Sequence, residues 1–384
     1  MKYNKKKFLL STPAAFHYPN LAEIIQKKNQ LTKIVSGYPL FKLKNYAIDN
    51  NKINSYGFYQ LILNFLFKLK IKNETLINYL ILRNLKQIDK IAARYVNYSD
   101  VYLALSGTGL ETGRLFKKKN KMYICERSSS HILFAKEILT KEFKKYRIKF
   151  NVDKKIIQRE LAEYKIADFI LVPSLFAKKT FNDRGFKNVK VISFPSDKKI
   201  FYNKGIRNFY DKKFRIVFVG GLTLRKGIPY LLDAFSRLKL KNSELHLIGS
   251  QSVETNLFRD KLLNKNIFLH GHKKHSEIND FLNKCHIFVM PSLEEGAAIS
   301  VAQAMNTGLP VIVTENTGWK EIVNKNNNGF VVKPMNSNQI FTKLKYLDKN
   351  RKLLENFSKN SLKYSKNKSW RNYFEELNQL VANY

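Results

Sequence analysis

The sequence predicts an α/β protein built as two halves, each around a parallel sheet, and three observations carry that expectation. Residues 288–318, FVMPSLEEGAAISVAQAMNTGLPVIVTENTG, read as strand, turn, helix and strand, which is the βαβ crossover of a parallel sheet. A polar, turn-rich stretch from Phe194 to Lys213 is followed by a restart of the strand-then-helix pattern. At 384 residues the chain exceeds one ordinary core and fits two domains. The expected boundaries are 1–200 for the first half, 214–365 for the second and 366–384 for a terminal helical segment.

In the first half, Lys7 to Ser11 is an apolar run that stops at Thr12-Pro13-Ala14, so it reads as a strand ending in a turn. A helix from about Asn20 to Asn29 and a strand near Leu31 to Ser36 follow. Phe58 to Ile71, FYQLILNFLFKLKI, is a strongly apolar helix carrying Lys68 and Lys70, with Lys72 just beyond. It suits either a core helix with a wet edge or a segment lying on anionic lipid. Val101 to Leu105 is a strand opening into Ser106-Gly107-Thr108-Gly109 and a helix from about Glu111. Lys121 to Cys125 is another, opening into Glu126-Arg127-Ser128-Ser129-Ser130-His131, and Ala167 to Val172 is one more.

The second half begins with a strand from Arg215 to Val219, the loop Gly220 to Gly227 and a helix from Ile228 to Leu238. Strands follow at Glu244 to Ile248 and Asn266 to His270. The apolar run His286 to Met290 ends at Pro291-Ser292, good helix formers occupy Ala297 to Asn306, and Gly308-Leu309-Pro310 stops them before the strand Val311 to Thr314. The last helix runs roughly from Trp370 to Val381.

Lys and Arg number 69 against 30 Asp and Glu, a net charge of +39. Lysine is spread along the whole chain, the pattern of a solvated surface more than of a binding stripe, although such a protein is still drawn to membranes or nucleic acid. The two cysteines, Cys125 and Cys285, lie inside apolar runs and read as buried thiols of a reducing compartment. Met1 to Leu10 has the basic start of a signal peptide, but its apolar run is too short. No stretch reaches the ~20 apolar residues of a membrane-spanning helix. A cytoplasmic protein is expected.

In a βαβ unit the ligand lies at the carboxyl ends of the strands and the amino end of the helix, where Glu295 falls. Gly296, Ala297 and Ala298 beside it are small enough to let a phosphorylated ligand reach backbone N–H groups, and a carboxylate there suits polyol hydroxyls. Alone, these residues equally fit an acidic helix start with ordinary packing. In the loop after the Arg215 strand, Gly220 and Gly221 free N–H groups for an anion while Arg225 and Lys226 supply charge. His270-Gly271-His272, with His275 beyond, invites a metal reading, yet no carboxylate is spaced to complete a site. His131 in isolation fits a helix-start residue bonding the backbone.

Pro-Ser, Glu-Glu-Gly, Gln-Ala-Met, Gly-Leu-Pro-Val-Ile and Thr-Gly, in this order, resemble the nucleotide-sugar signature of retaining glycosyltransferases of family 4, the glycosyl transferases group 1. FVGGLTLRKGIPYLLDAF is similar to that family's diphosphate-binding loop, and ERSSSHILFAKEIL with DKKIIQRELAEYKIADFILVPSLF resembles the amino-terminal half of a bacterial group within it. The resemblance runs from about Lys90 to Val332 and is loose before residue 90. It implies the GT-B architecture, two facing Rossmann-like domains with a cleft between them and a terminal helix returning to the first. It also implies roles: Gly220, Gly221, Arg225 and Lys226 on the diphosphate, Glu295 with Gly296, Ala297, Ala298 and Ile299 at the donor sugar, the backbone of Gly271 and His272 beside the base, and His131 over the sugar or reacting centre. The family's second glutamate, eight positions beyond Glu295 and facing the ribose, is here Gln303, which keeps hydrogen bonding without charge. The turn Thr12-Pro13-Ala14-Ala15 lacks the glycines of many relatives, and Gly221 stands where relatives often carry the arginine.

The implied reaction is hexosyl transfer from a UDP-, GDP- or ADP-linked sugar to a hydroxyl of a glycan or lipid-linked acceptor, with retention and without a placed nucleophile. No Asp-x-Asp motif occurs, so no metal or cofactor is expected, with Arg225 and Lys226 acting where a divalent ion acts elsewhere. Two alternatives stand beside this reading: a catalytically silent GT-B relative that only binds a nucleotide sugar, suggested by Gln303, and a basic nucleic-acid-binding protein, suggested by charge alone and lacking aromatic-basic motifs or zinc-finger spacing. The expected partners are the donor, the acceptor and an anionic membrane surface, and not nucleic acid.

Overall fold

The computed structural model describes residues 5–69, 71, 73–238 and 242–384, and places one all-parallel sheet in each half. The first sheet comprises β1 Phe8–Thr12, β2 Leu31–Ser36, β3 Ile53–Ser55, β4 Val101–Leu105, β5 Met122–Glu126, β6 Phe169–Val172 and β7 Val189–Val191, in the order β3-β2-β1-β4-β5-β6-β7. The second comprises β8 Phe214–Val219, β9 Ser243–Ile248, β10 Ile267–Gly271, β11 Ile287–Met290, β12 Val311–Thr314 and β13 Gly329–Val332, in the order β10-β9-β8-β11-β12-β13. In both sheets the chain reverses its direction of travel beside the first strand, at β1/β4 and at β8/β11. Such switch points leave a crevice beyond the carboxyl ends of the strands.

β1, β4, β5, β6, β11 and β12 are buried along their whole length. Covered on both faces, they need continuous apolar sequence, which is why they stand out in the chain. β3 and β7 are three residues long, partly exposed and carry no such run, while β13, Gly-Phe-Val-Val, is apolar but buries only Val332; all three are additions to the expected strands. The helix Ile228–Leu238 buries Ile228, Leu231, Leu232, Phe235 and Leu238 on one helical face, each contributing about 1.5–3 kcal/mol by leaving water.

The helices Phe58–Lys68 and Glu74–Ala92 form a hairpin after β3. Leu63 and Leu66 of the first pack against Leu80 of the second in a small cluster apart from the main core. Phe58, Leu61 and Phe65 remain 57%, 48% and 60% exposed. At ~100° per residue they form a stripe with Leu69, next to the buried face. The segment thus has a core face and an open apolar face, so neither sequence reading of it holds alone. Lys70, Lys72 and the side chain of Lys68 lie outside the described residues, as does the start of the Met1–Leu10 segment.

The helix Trp370–Ala382 packs against the first half: Phe374 meets Phe8 edge-on with ring centres 5.6 Å apart, and Trp370 stacks on His17 at 5.5 Å. Within the stretch joining the sheets, Arg207 donates to the carbonyls of Leu282, Cys285, Thr307 and Gly308 at 2.7–3.1 Å, tying that stretch to the second half. Both cysteines are buried and free. Among the described residues no helix is long and apolar enough to cross a membrane.

Candidate active site

The loop after β8 is fixed against the loop after β11. Gly227 has φ +69°, and a Cβ there would come within 2.0 Å of the Pro291 carbonyl oxygen, so only glycine permits this approach. The Leu293 N–H donates to the Arg225 carbonyl at 2.9 Å. These contacts carry the two cations to the acidic turn: Lys226 Nζ lies 2.6 Å from Glu295 Oε1, and an Arg225 terminal nitrogen 3.6 Å from Glu295 Oε2. Arg225 Nε donates to Glu294 Oε2 at 3.0 Å.

The backbone offers less to an anion than the sequence leads one to expect. In the glycine loop the amides of Gly220, Leu222, Thr223, Leu224, Lys226 and Gly227 all have partners, Leu224 giving its N–H to Glu254. Among the described residues only the Gly221 and Arg225 amides of this loop lack one, so positive charge there comes mainly from the two side chains. The helix after β11 starts at Ile299, not Ala297: Ala298 is its N-cap, and the Ala298 N–H is bonded to the Thr317 carbonyl. An alanine cap has no side-chain acceptor, and while the Val301 N–H donates to the Ala298 carbonyl at 3.0 Å, the Ile299 and Ser300 amides are left uncapped.

Gly296 is needed for contact between the halves. A Cβ there would lie 2.1 Å from the Ser128 carbonyl oxygen, and Ser174 Oγ donates to the Gly296 carbonyl at 2.5 Å. Beside it Glu294, 1% exposed, accepts hydrogen bonds from Ser129 Oγ (2.5 Å), Ser130 N (3.0 Å) and Ser130 Oγ (2.6 Å). Burial raises the pKa of this carboxyl, but Arg225 and the serine donors outweigh it and hold it at about 2. A third contact joins Tyr230 of the second half to the Glu142 carboxylate, at 2.8 and 2.9 Å.

The first half holds its serine loop from behind. Arg127 reaches the Ser130 carbonyl (3.1 Å) and the Glu160 carboxylate (2.7 Å), and Tyr164 donates to Glu160. Glu163 accepts the N–H groups of Gly107 and Gly109, so that glycine turn is bound internally. The pattern of the sequence assigns no role to Glu294, Ser129, Ser130 or Arg127. The signal that could have exposed them is the doubled glutamate and the hydroxyl-rich Arg-Ser-Ser-Ser run, each falling at the carboxyl end of a strand.

His131 is 1% exposed and caps the helix Ile132–Lys145, its Nδ1 accepting the Leu133 N–H at 3.2 Å. Its ring sits among Tyr164, Phe181 and Phe186, and burial together with Arg184 and Arg127 presses its pKa down to about 3. No described contact joins that ring to Arg225, Lys226 or Glu295. The geometry is that of the helix-start residue. Gln303 is half-buried on the Ile299–Asn306 helix, with no side-chain hydrogen bond among the described residues, and Ile299 is exposed. Gly271 ends β10 with φ +65° in open space, and His272 is exposed. His270 pairs with His246 at 3.0 Å. Among the described residues no group of three or more His, Cys, Asp or Glu is arranged to hold a metal ion.

Two parallel sheets facing each other across a cleft, joined by one stretch of chain and crossed by a terminal helix, define the GT-B fold. Residues 200–364 match the family model for glycosyl transferases group 1, so the second half carries the resemblance read from its motifs. An uncharacterized glycosyltransferase of Methanocaldococcus jannaschii is 30% identical over 223 residues, 55% of this chain and 60% of that protein. The N,N'-diacetylbacillosaminyl-diphospho-undecaprenol alpha-1,3-N-acetylgalactosaminyltransferase of Campylobacter jejuni is 26% identical over 192 residues, 49% of this chain and 50% of that protein. The match thus spans less than two thirds of either relative. The Anabaena protein HepE, crystallised with UDP and glucose, superposes with a TM-score of 0.71 at 12% identity, covering 99% of this chain and 100% of that one, a likeness of fold.

Proposed function

We propose that this protein transfers a hexose from a nucleotide sugar to a hydroxyl of a glycan or lipid-linked acceptor, with retention at the anomeric carbon as in family 4. The observation that carries the reading is the convergence of Arg225, Lys226 and Glu295 at the facing switch points. Cleaving the sugar–phosphate bond leaves negative charge on the nucleoside diphosphate. Two cations fixed beforehand stabilise that charge as it develops, and they give the service a divalent ion gives elsewhere, so the reaction as proposed uses no metal. Arrival of the diphosphate exchanges Lys226 away from Glu295, whose carboxylate then accepts hydroxyls of the sugar. Gln303 serves the ribose, the uncapped first turn at Ile299 faces the donor, and Gly271 with His272 borders the base. His131 acts by holding the serine loop.

The names of similar proteins point the same way: one acts on a diphospho-undecaprenol substrate, and HepE was crystallised with UDP and glucose. We assign the acceptor side to a membrane surface. Phe16, Phe41 and Phe58, all exposed, follow the carboxyl ends of β1, β2 and β3, on the side of the sheet that faces the cleft. A thermal-shift screen of UDP-, GDP- and ADP-sugars tests the donor assignment, since a ligand bound only by the native state raises its melting temperature. Silence with all three defeats it.

A further inference from the structure

Resting on that reading of the site, we propose that Glu294 is a positioning residue which makes the aim of Arg225 depend on contact between the two halves. Glu294 touches neither donor nor acceptor in this account. It stands between Arg225 on its own half and Ser129 and Ser130 on the other, and it divides its oxygens between them. Oε1 takes all three serine hydrogen bonds, at 2.5, 3.0 and 2.6 Å, and Oε2 alone takes Arg225 Nε, at 3.0 Å. A guanidinium and a carboxylate left to themselves prefer the bidentate fork, two parallel N–H···O bonds. Here the serines occupy the oxygen that the second bond would use. The guanidinium therefore meets Glu294 through Nε alone, while a terminal nitrogen donates to Ser129 Oγ (3.2 Å) and lies 3.6 Å from Glu295 Oε2.

When the halves separate, Oε1 loses three donors at once. A carboxylate 1% exposed in the closed form then has one strong partner in reach, and the pair collapses to the fork, withdrawing Arg225 from the diphosphate position. Closure breaks the fork and presents the guanidinium. The charge that stabilises the leaving group is thus assembled only when both halves are in contact, and Gly296, pressed against the Ser128 carbonyl, allows that contact to be close.

The proposal makes a prediction of unusual sign. Ser129→Ala with Ser130→Ala removes both hydroxyl donors of Oε1 and leaves it only the Ser130 N–H, so Oε1 turns to Arg225 and affinity for a nucleoside diphosphate falls by about tenfold or more, the scale of lost charged hydrogen bonds. Adding Glu294→Gln to that pair removes the captor, and affinity recovers by at least about threefold. Calorimetric titration of the full chain with UDP, GDP and ADP separately reads both changes, with affinity counted per folded molecule. A triple variant that binds no better than the serine pair overturns the proposal, because a merely structural Glu294 adds damage and never repairs it. Small-angle scattering gives an independent reading: the serine pair should show a larger radius of gyration than wild type, and an unchanged radius in a folded serine variant also overturns it. If wild type binds none of the three nucleotides, the proposed function fails, while the scattering comparison still decides whether the serines and Glu294 hold the halves together.

Discussion

Lys226 Nζ lies 2.6 Å from Glu295 Oε1, so the cation assigned to the diphosphate and the carboxylate assigned to the sugar neutralise one another in the free protein. The side chains of Lys226 and Glu295 are 22% and 10% exposed, so the pair is largely shielded from water and its attraction is offset by the desolvation of both charges. It can therefore be exchanged. A diphosphate brings more negative charge than one carboxylate, and the exchange releases Glu295 to accept hydroxyls.

Gln303 discriminates a ribose contact from a structural amide. Facing the ribose, Gln303→Glu keeps or tightens donor binding and Gln303→Leu weakens it by about 1–3 kcal/mol, the cost of an unpaired hydroxyl. Calorimetry on both variants checks this. A melting temperature that drops in Gln303→Glu with unchanged donor affinity contradicts it.

His131 should leave no mark on the pH–rate profile. With its pKa pressed to about 3 by burial and by Arg184 and Arg127, the ring stays neutral at every pH where the protein is folded and active. His131→Asn keeps a capping side chain and should retain activity, whereas His131→Ala costs about 1 kcal/mol of stability. An acid limb near neutrality that vanishes in His131→Asn would contradict this and give the ring a proton-transfer role.

The open stripe of the Phe58–Lys68 helix should bind anionic vesicles in two separable ways. Attraction of the basic surface falls with salt, while insertion of Phe58 and Phe65 does not. Co-sedimentation should decline but persist at ~0.5 M salt, beyond the reach of screening, and disappear when both phenylalanines become Ser. Both side chains are more than half exposed, so the variant should fold. Complete loss of wild-type binding in salt sinks the membrane assignment.

Acid should destabilise the second half through His286. Its ring is buried, Nδ1 accepts the Arg215 N–H at 2.9 Å, and Nε2 faces the Asn208 carbonyl at 2.9 Å, a geometry that suits the neutral ring. Burial lowers its pKa from 6.5 to about 4. Between those values the unfolded chain takes up a proton that the native ring refuses, so stability is full above pH ~6.5 and is lost as pH falls toward ~4, by up to about 3 kcal/mol. Denaturant melts at pH 7 and pH 5 should differ in that direction, with a smaller difference in His286→Gln. An equal slope in the variant removes His286 as the cause.

The fold was legible wherever burial on both faces forces an apolar run. Val101 to Leu105 and Val311 to Thr314 are strands with the expected bounds. β3 and β7 were not, since three half-wet residues have no composition of their own, and β13, which opens on a glycine, is buried only at Val332. In the site, Arg225, Lys226 and Glu295 could be named from local pattern because a single loop and a single turn deliver them. Glu294 could not: its meaning lies in Ser129 and Ser130, about 165 residues away in the chain, and no local periodicity records a contact between halves. The helix preference of alanine predicts a start at Ala297, whereas the bond from Ala298 N–H to the Thr317 carbonyl delays it to Ile299.

The most direct test of the central claim is release of nucleoside diphosphate from UDP-, GDP- and ADP-sugars by wild type, Arg225→Ala, Lys226→Ala and the double variant. Wild type should release product slowly from one donor class, and each single substitution should cut the rate by about 10²–10³, the ~2.7–4 kcal/mol of a lost contact to developing charge. Arg225→Ala should also lower the melting temperature, because it leaves the buried Glu294 carboxylate without its cation, so rates are counted per folded molecule. No release from any of the donors, or release by the folded double variant at the wild-type rate, would contradict the account.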